Sequence, residues 1–67
     1  MTLQEFQQRV LDEKKDLDDK LDKLKAFINT DEKFLRLSVG EQLRLERQAE
    51  IMQDYSDVLT ERIASFT

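Results

Sequence analysis

Sixty-seven residues hold at most one domain, and a chain this short can bury too little of its surface to be robust alone. Cys and His are absent, which excludes disulfides, thiolate or imidazole metal sites and the commonest general base. Charged residues make up 39% of the chain with both signs mixed, and the net charge is −4, so sequence-independent nucleic-acid binding is not expected.

With disulfides and metals gone, association is the remaining route to stability for so small a fold. No apolar run approaches the ~18 residues of a membrane span, so no membrane partner is expected. A reducing cytoplasm suits a chain without cysteine.

Two helix-start signatures divide the chain. Thr2-Leu3-Gln4-Glu5 and Ser38-Val39-Gly40-Glu41 both read S/T-x-x-E. In such a box a hydroxyl takes an orphan N–H of the first turn, and the Glu three residues on bonds back to the cap's own N–H. The first predicts a helix over 3–28 with apolar Leu3, Phe6, Val10, Leu17, Leu21, Leu24, Phe27 and Ile28 on one stripe. The stripe thins at Asp12-Glu13-Lys14-Lys15-Asp16, a solvated middle or a place where Lys stems cover the seam. Lys15–Asp19, Asp16–Lys20 and Asp19–Lys23 stand at i,i+4, where ion pairs add about 0.2–0.5 kcal/mol each.

Residues 29–38 form the connection. Thr30 can cap a short turn carrying Asp31, Glu32 and Lys33, and Phe34 and Leu37 are expected to fold over the hairpin's end. The second helix is expected over 39–65. There Leu45, Met52, Leu59 and Phe66 recur every seven residues, flanked by Ala49 and Ile63 on one side and by Ile51, Tyr55 and Val58 on the other. That face is broader than one neighbouring helix covers. The fold class is therefore all-α: a single domain, a long antiparallel helical hairpin with a short helical turn in the connection. It is expected to self-associate into a helical bundle through Leu45, Ile51, Met52, Tyr55, Val58, Leu59 and Ile63.

Asp12, Asp16 and Asp19 share one helix face, but a helix lacks the wrapping loop of a Ca²⁺ site and the neighbouring Lys residues favour solvated ion pairing. No metal and no cofactor are expected. Ser38, Ser56 and Ser65 have only carboxylates and Lys as prospective bases, so no catalytic residue is assigned and the chain is expected not to be an enzyme.

Arginine is segregated. The second helix carries Arg44, Arg47 and Arg62 and no Lys, and Arg36 lies just before it. Arg makes bidentate contacts with carboxylate and phosphate, and a helix start favours anions. Arg36, Arg44, Arg47 and the Ser38 terminus can form a phosphate-binding corner. The ordinary alternative is surface pairing of Arg44 with Gln48 or Asp31, and of Arg47 with Glu50 or Glu46. Gln48, Tyr55 and Arg62 recur every seven residues beside the apolar stripe. Such a line sets register in helical assemblies, or lines a ligand pocket between protomers with Tyr55 on a ring and Arg62 on a phosphate.

Leu21-x-x-Leu24-x-x-Phe27-Ile28, Phe34-x-x-Leu37-Ser38-x-x-Glu41-Gln42 and Gln48-x-x-x-Met52-x-x-Tyr55-x-x-x-Leu59-x-x-Arg62-Ile63 together carry a family likeness across residues 17–63. This part of the chain resembles small uncharacterised helical-hairpin proteins of crAss-like and other tailed phages. The resemblance implies a phage accessory protein acting in the cytoplasm of a bacterial host. It implies a protein that binds and inhibits or sequesters a component of anti-phage defence, either a host defence protein or a signalling nucleotide such as a cyclic-nucleotide immune signal. From another class, a structural oligomerisation module or regulatory adaptor without immune role fits the same hairpin.

Overall fold

The structure, a computed structural model, describes residues 3–66. Three helices follow one another: α1 (Glu5–Thr30), α2 (Glu32–Leu35) and α3 (Val39–Ala64). The two long helices lie against each other as a hairpin, and α2 closes one end.

The helix ends show which polar groups win the local competition. Leu3 lies before α1 rather than inside it. The helix starts at Glu5 because Gln4 stands at N-cap in extended backbone, and its N–H donates to the Gln7 side-chain oxygen at 2.8 Å. That amide does for Gln4 what Glu5 was expected to do for Thr2. Thr2 itself lies outside the described residues.

At the other end α1 runs on through Thr30. The Thr30 hydroxyl donates to the Ala26 carbonyl at 2.6 Å, finishing α1 instead of capping the next turn. Asp31 is the cap in its place. Its N–H donates to Phe27 O at 3.2 Å, and its carboxylate accepts the Lys33 N–H at 2.8 Å. An Asp side chain reaches the N–H two residues on more readily than a Thr one residue earlier.

Ser38 caps α3, its hydroxyl accepting the Glu41 N–H at 3.2 Å. The reciprocal half of that box is missing, because the Glu41 carboxylate accepts from Arg44 Nε at 3.0 Å. The last turn of α3 stops before Ser65, whose hydroxyl donates to Arg62 O at 2.6 Å.

A heptad seam holds the long helices together. Ala49, Met52, Ser56, Leu59, Ile63 and Phe66 alternate by three and four residues, as do Val10, Lys14, Leu17, Leu21, Leu24 and Ile28 in α1. Every one of them is buried or half-buried. That spacing is the knobs-into-holes pattern of a left-handed pair. Leu59 has no exposed surface at all, and it clusters with Val10 and Leu17, with Met52, Ile63 and Phe66 packed alongside. Burying a Leu of this kind stabilises by about 1.5–3 kcal/mol. Aromatic pairs brace both ends. Phe27 meets Phe34 edge-on at 6.0 Å beside the connection, and Phe6 meets Phe66 at 6.4 Å at the open end.

The hairpin is a rod of 50 × 15 × 14 Å with a radius of gyration of 15.2 Å. A globular chain of this length would measure about 11 Å. The accessible surface is 5396 Å². A typical folded monomer of this mass exposes about 4,450 Å², roughly 900 Å² less.

A candidate binding face on the third helix

A second seam runs along α3 beside the one that faces α1. Arg44, Gln48, Ile51, Tyr55, Val58 and Arg62 alternate by four and three residues, so they share one helix face. Nothing in the hairpin covers it. Ile51 is 56% exposed, Val58 49% and Tyr55 43%. Arg47, four residues before Ile51, lies on the same side.

The arginines fall into two groups. Arg44 is tied to Glu41 at 3.0 Å, and Arg36 reaches Glu32 at 4.0 Å. Arg47 and Arg62 are exposed and form no ion pair among the described residues. The corner expected from Arg36, Arg44, Arg47 and the Ser38 terminus thus has two of its arginines facing carboxylates. Those carboxylates lie one helical turn away, and Glu41 already places negative charge at that terminus. The surface partners expected for these side chains are displaced as well. Arg44 takes Glu41 rather than Gln48 or Asp31, and the Gln48 amide instead lies 3.8 Å from the Met52 sulfur.

The residues expected to hold copies together divide between the two seams. Leu45, Met52 and Ile63 are half-buried, and Leu59 is closed off entirely. Met52, Leu59 and Ile63 belong to the core inside one hairpin, because their heptad positions point at α1. Ile51, Tyr55 and Val58 are the ones with surface to offer.

One polar cluster was not foreseen. The Lys14 ammonium donates to Asp18 Oδ2 at 2.6 Å and to Ser56 Oγ at 3.0 Å, and the Ser56 hydroxyl donates to Asp18 Oδ1 at 2.5 Å. Ser56 is 3% exposed. The Lys14 bond and, after it, the Ser56 bond hold the Asp18 carboxyl below its ordinary value. With its proton committed to Asp18 and its oxygen shut in, the hydroxyl has no approach for a substrate. The cluster instead ties α1 to α3 in one register. The signal was present in the sequence: Lys14 and Ser56 are the polar occupants of apolar heptad positions. Of the two readings of the thinned α1 stripe, a Lys covering the seam describes Lys14.

Other polar contacts lie nearer the surface or serve the backbone: the Gln42 amide donates to Leu37 O at 3.0 Å and the Thr60 hydroxyl to Ser56 O at 3.1 Å. Lys25 donates to the Gln53 amide oxygen at 2.8 Å across the helices, and Gln53 donates to Asp57 at 2.9 Å. The pairs expected at Lys15–Asp19, Asp16–Lys20 and Asp19–Lys23 do not form; Arg9–Glu5 and Lys14–Asp18 do. For exposed pairs worth a few tenths of a kcal/mol, about 0.2–0.5, solvation competes on equal terms. Asp12 accepts from the Gln8 amide at 3.1 Å. Among the described residues no group of three or more acidic side chains converges to hold a metal ion, and no helix is long and apolar enough to cross a membrane.

Set beside known proteins, the chain matches the Sequestin family model over residues 4–65 and belongs to that family. No curated protein and no solved structure matches it.

Proposed function

We propose that this member of the Sequestin family is a non-enzymatic binding protein of a phage. It takes a phosphate-bearing signalling nucleotide of the bacterial host's anti-phage defence out of circulation, in the host cytoplasm. The family name supports sequestration as the mode of action. The observation that carries the ligand class is the pair Arg47 and Arg62. Both are exposed on α3 and form no ion pair among the described residues, with Tyr55 between them in sequence. Guanidinium groups offer planar, bidentate donors to phosphate, and a half-exposed Tyr ring offers a face to a base. A host defence protein as target would use the same arginines as anchors.

Thermal shift and calorimetry against cyclic di- and trinucleotides, with inorganic phosphate alongside, test this. A ligand that binds only the folded state raises the melting temperature by mass action. Arg47→Lys and Arg62→Lys should each weaken binding about tenfold although charge is kept, and added salt should weaken it further. Lys15→Ala/Lys20→Ala/Lys23→Ala is the matched control; Lys14 stays out of it because of its bonds to Ser56 and Asp18. No response to any cyclic nucleotide would overturn the nucleotide reading. The exposed Ile51 and Val58 would then favour an oligomerisation module or adaptor.

A further inference from the structure

The facing seams of α1 and α3 are alike. Each is an apolar row interrupted once. Lys14 breaks the row Val10, Leu17, Leu21, Leu24 and Ile28, and Ser56 breaks the row Ala49, Met52, Leu59 and Ile63. Apolar burial has no direction, so such rows would pack as readily against their own kind in another chain. The two interruptions are what tell them apart. They meet at one level of the rod, and in the same alignment Val10 packs with Leu59 and Phe6 meets Phe66.

We infer that the Lys14–Asp18–Ser56 layer is a partner selector: through these seams it admits α1 against α3, and it bars α1 from α1 and α3 from α3 when chains meet.

Within one hairpin the layer is redundant. Only residues 31–38 separate the long helices, and that connection, closed by the contact of Phe27 with Phe34, already fixes which helix lies on which and at what level. The information in the layer is needed against other copies. In the hairpin every member has its partners, and among the described residues no buried side-chain nitrogen or oxygen lacks a hydrogen bond. Lys14 and Asp18 stand four apart on α1 and pair without help from α3. Ser56 is buried on α3, and both of its side-chain bonds come from α1.

Against a second α3, Ser56 would face an apolar row that offers neither donor nor acceptor across the seam. Against a second α1, Lys14 would meet aliphatic side chains in place of a hydroxyl. A polar group buried without its partner loses its hydration for nothing, whereas a satisfied layer roughly breaks even against apolar side chains of the same size. The layer therefore adds little to the correct pair and penalises its competitors, as one buried polar position does in a coiled coil.

Lys14→Met/Ser56→Ala makes the layer apolar at nearly unchanged volume. Each substitution alone strips bonds from groups left in the layer and should lower the melting temperature followed by circular dichroism. Together they should bring it back to within about 5 °C of the unmodified chain, or above it. What the double variant loses is selectivity. Its mass by light scattering should exceed that of the unmodified chain at equal concentration, and its amide resonances should multiply. The chain has no cysteine, so Ala49→Cys, on the inner row of α3, reports which helices meet. Under mild oxidation Ala49→Cys should stay unlinked between chains with the polar layer present and form a linked dimer with the layer apolar. A double variant with the unmodified mass, one set of resonances and no link would overturn the selector, as would Ala49→Cys that links equally in both backgrounds. A double variant that melts more than about 5 °C below the unmodified chain would overturn it as well, since the layer would then be a stabilising tie.

Discussion

Leu59→Ala is the most direct test of the seam between α1 and α3. The side chain has no exposed surface, and it sits with Val10 and Leu17 while Met52, Ile63 and Phe66 pack around it. Truncation removes three carbons, about 2.4 kcal/mol of transfer free energy at ~0.8 per group. The packed neighbours relax only in part, and the cavity raises the cost to about 2.7–5 kcal/mol. A 67-residue domain commands about 3–10 kcal/mol in total. Leu59→Ala should therefore lower the urea midpoint, followed by helical circular dichroism, by at least about a quarter, and unfold the chain where its total stability lies at the low end of that range. Val58→Ala, one residue away but 49% exposed, is the comparison. Its cost should be below about 1 kcal/mol, because the Val58 side chain faces outward. If Leu59→Ala cost less than about 1 kcal/mol at matched concentration, the heptad assignment of α3 would be wrong.

Ser38→Ala should destabilise by about 1 kcal/mol in the same titration, since the Glu41 N–H loses its acceptor. Gly40→Ala should be neutral or stabilising by up to about 1 kcal/mol: an added Cβ would meet the Arg44 guanidinium at 3.5 Å, an ordinary contact, and helical backbone there needs no glycine. A clear loss of stability would refute the placement of that helix start. Asp18 sets an acid limit. Its carboxyl is held below 3.8 in the folded chain, so its contribution is complete above the ordinary carboxylate range and is lost as pH falls through the lowered value. Acid titrations of Lys14→Met and Ser56→Ala should show a smaller loss between pH 5 and the acid limit than the unmodified chain; equal curves would mean the cluster contributes nothing through Asp18.

Periodicity made the two long helices and the connecting turn legible, because hydrophobic spacing reports a face whatever that face meets. Which groups capped the helices was less legible. Thr30 and Asp31 are both good caps, and only the geometry of the turn decides that Asp31 takes the Lys33 N–H while Thr30 turns back to Ala26. The α3 stripe was read as one broad face, whereas it is two seams side by side. Met52, Leu59 and Ile63 serve the hairpin's own core, and Ile51, Tyr55 and Val58 face outward. Sequence spacing gives angles around a helix but not where the neighbouring helix sits, so the division between the seams was invisible. The arginines of the expected corner divide for a related reason. Arg36 and Arg44 each have a Glu one turn away, Glu32 and Glu41, and local pairing takes them up. Arg62, set in the line of Gln48 and Tyr55, has no carboxylate at i±3 or i±4, so its isolation was readable; Arg47 has Glu50 at i+3, and only the structure shows that pair unformed.

The aromatic brace beside the connection has a kinetic meaning. Phe27 and Phe34 are only seven residues apart and meet at 6.0 Å, with Phe34 buried under the turn. A loop that short closes on a timescale of about 10–100 ns. Phe6 and Phe66, sixty residues apart, can meet only after the helices have aligned. The hairpin should thus zip from its closed end toward its open end, with the Lys14–Asp18–Ser56 cluster as a late checkpoint on register. Phe34→Ala should slow folding, and Val10→Ala should mainly speed unfolding, a split that stopped-flow chevrons resolve; the reverse split would put the nucleus at the open end. At equilibrium the same polarity appears as graded breathing. Amide exchange should be slowest near the connection and fastest where Phe6 and Phe66 meet, as the rod loosens from one end while the other stays shut.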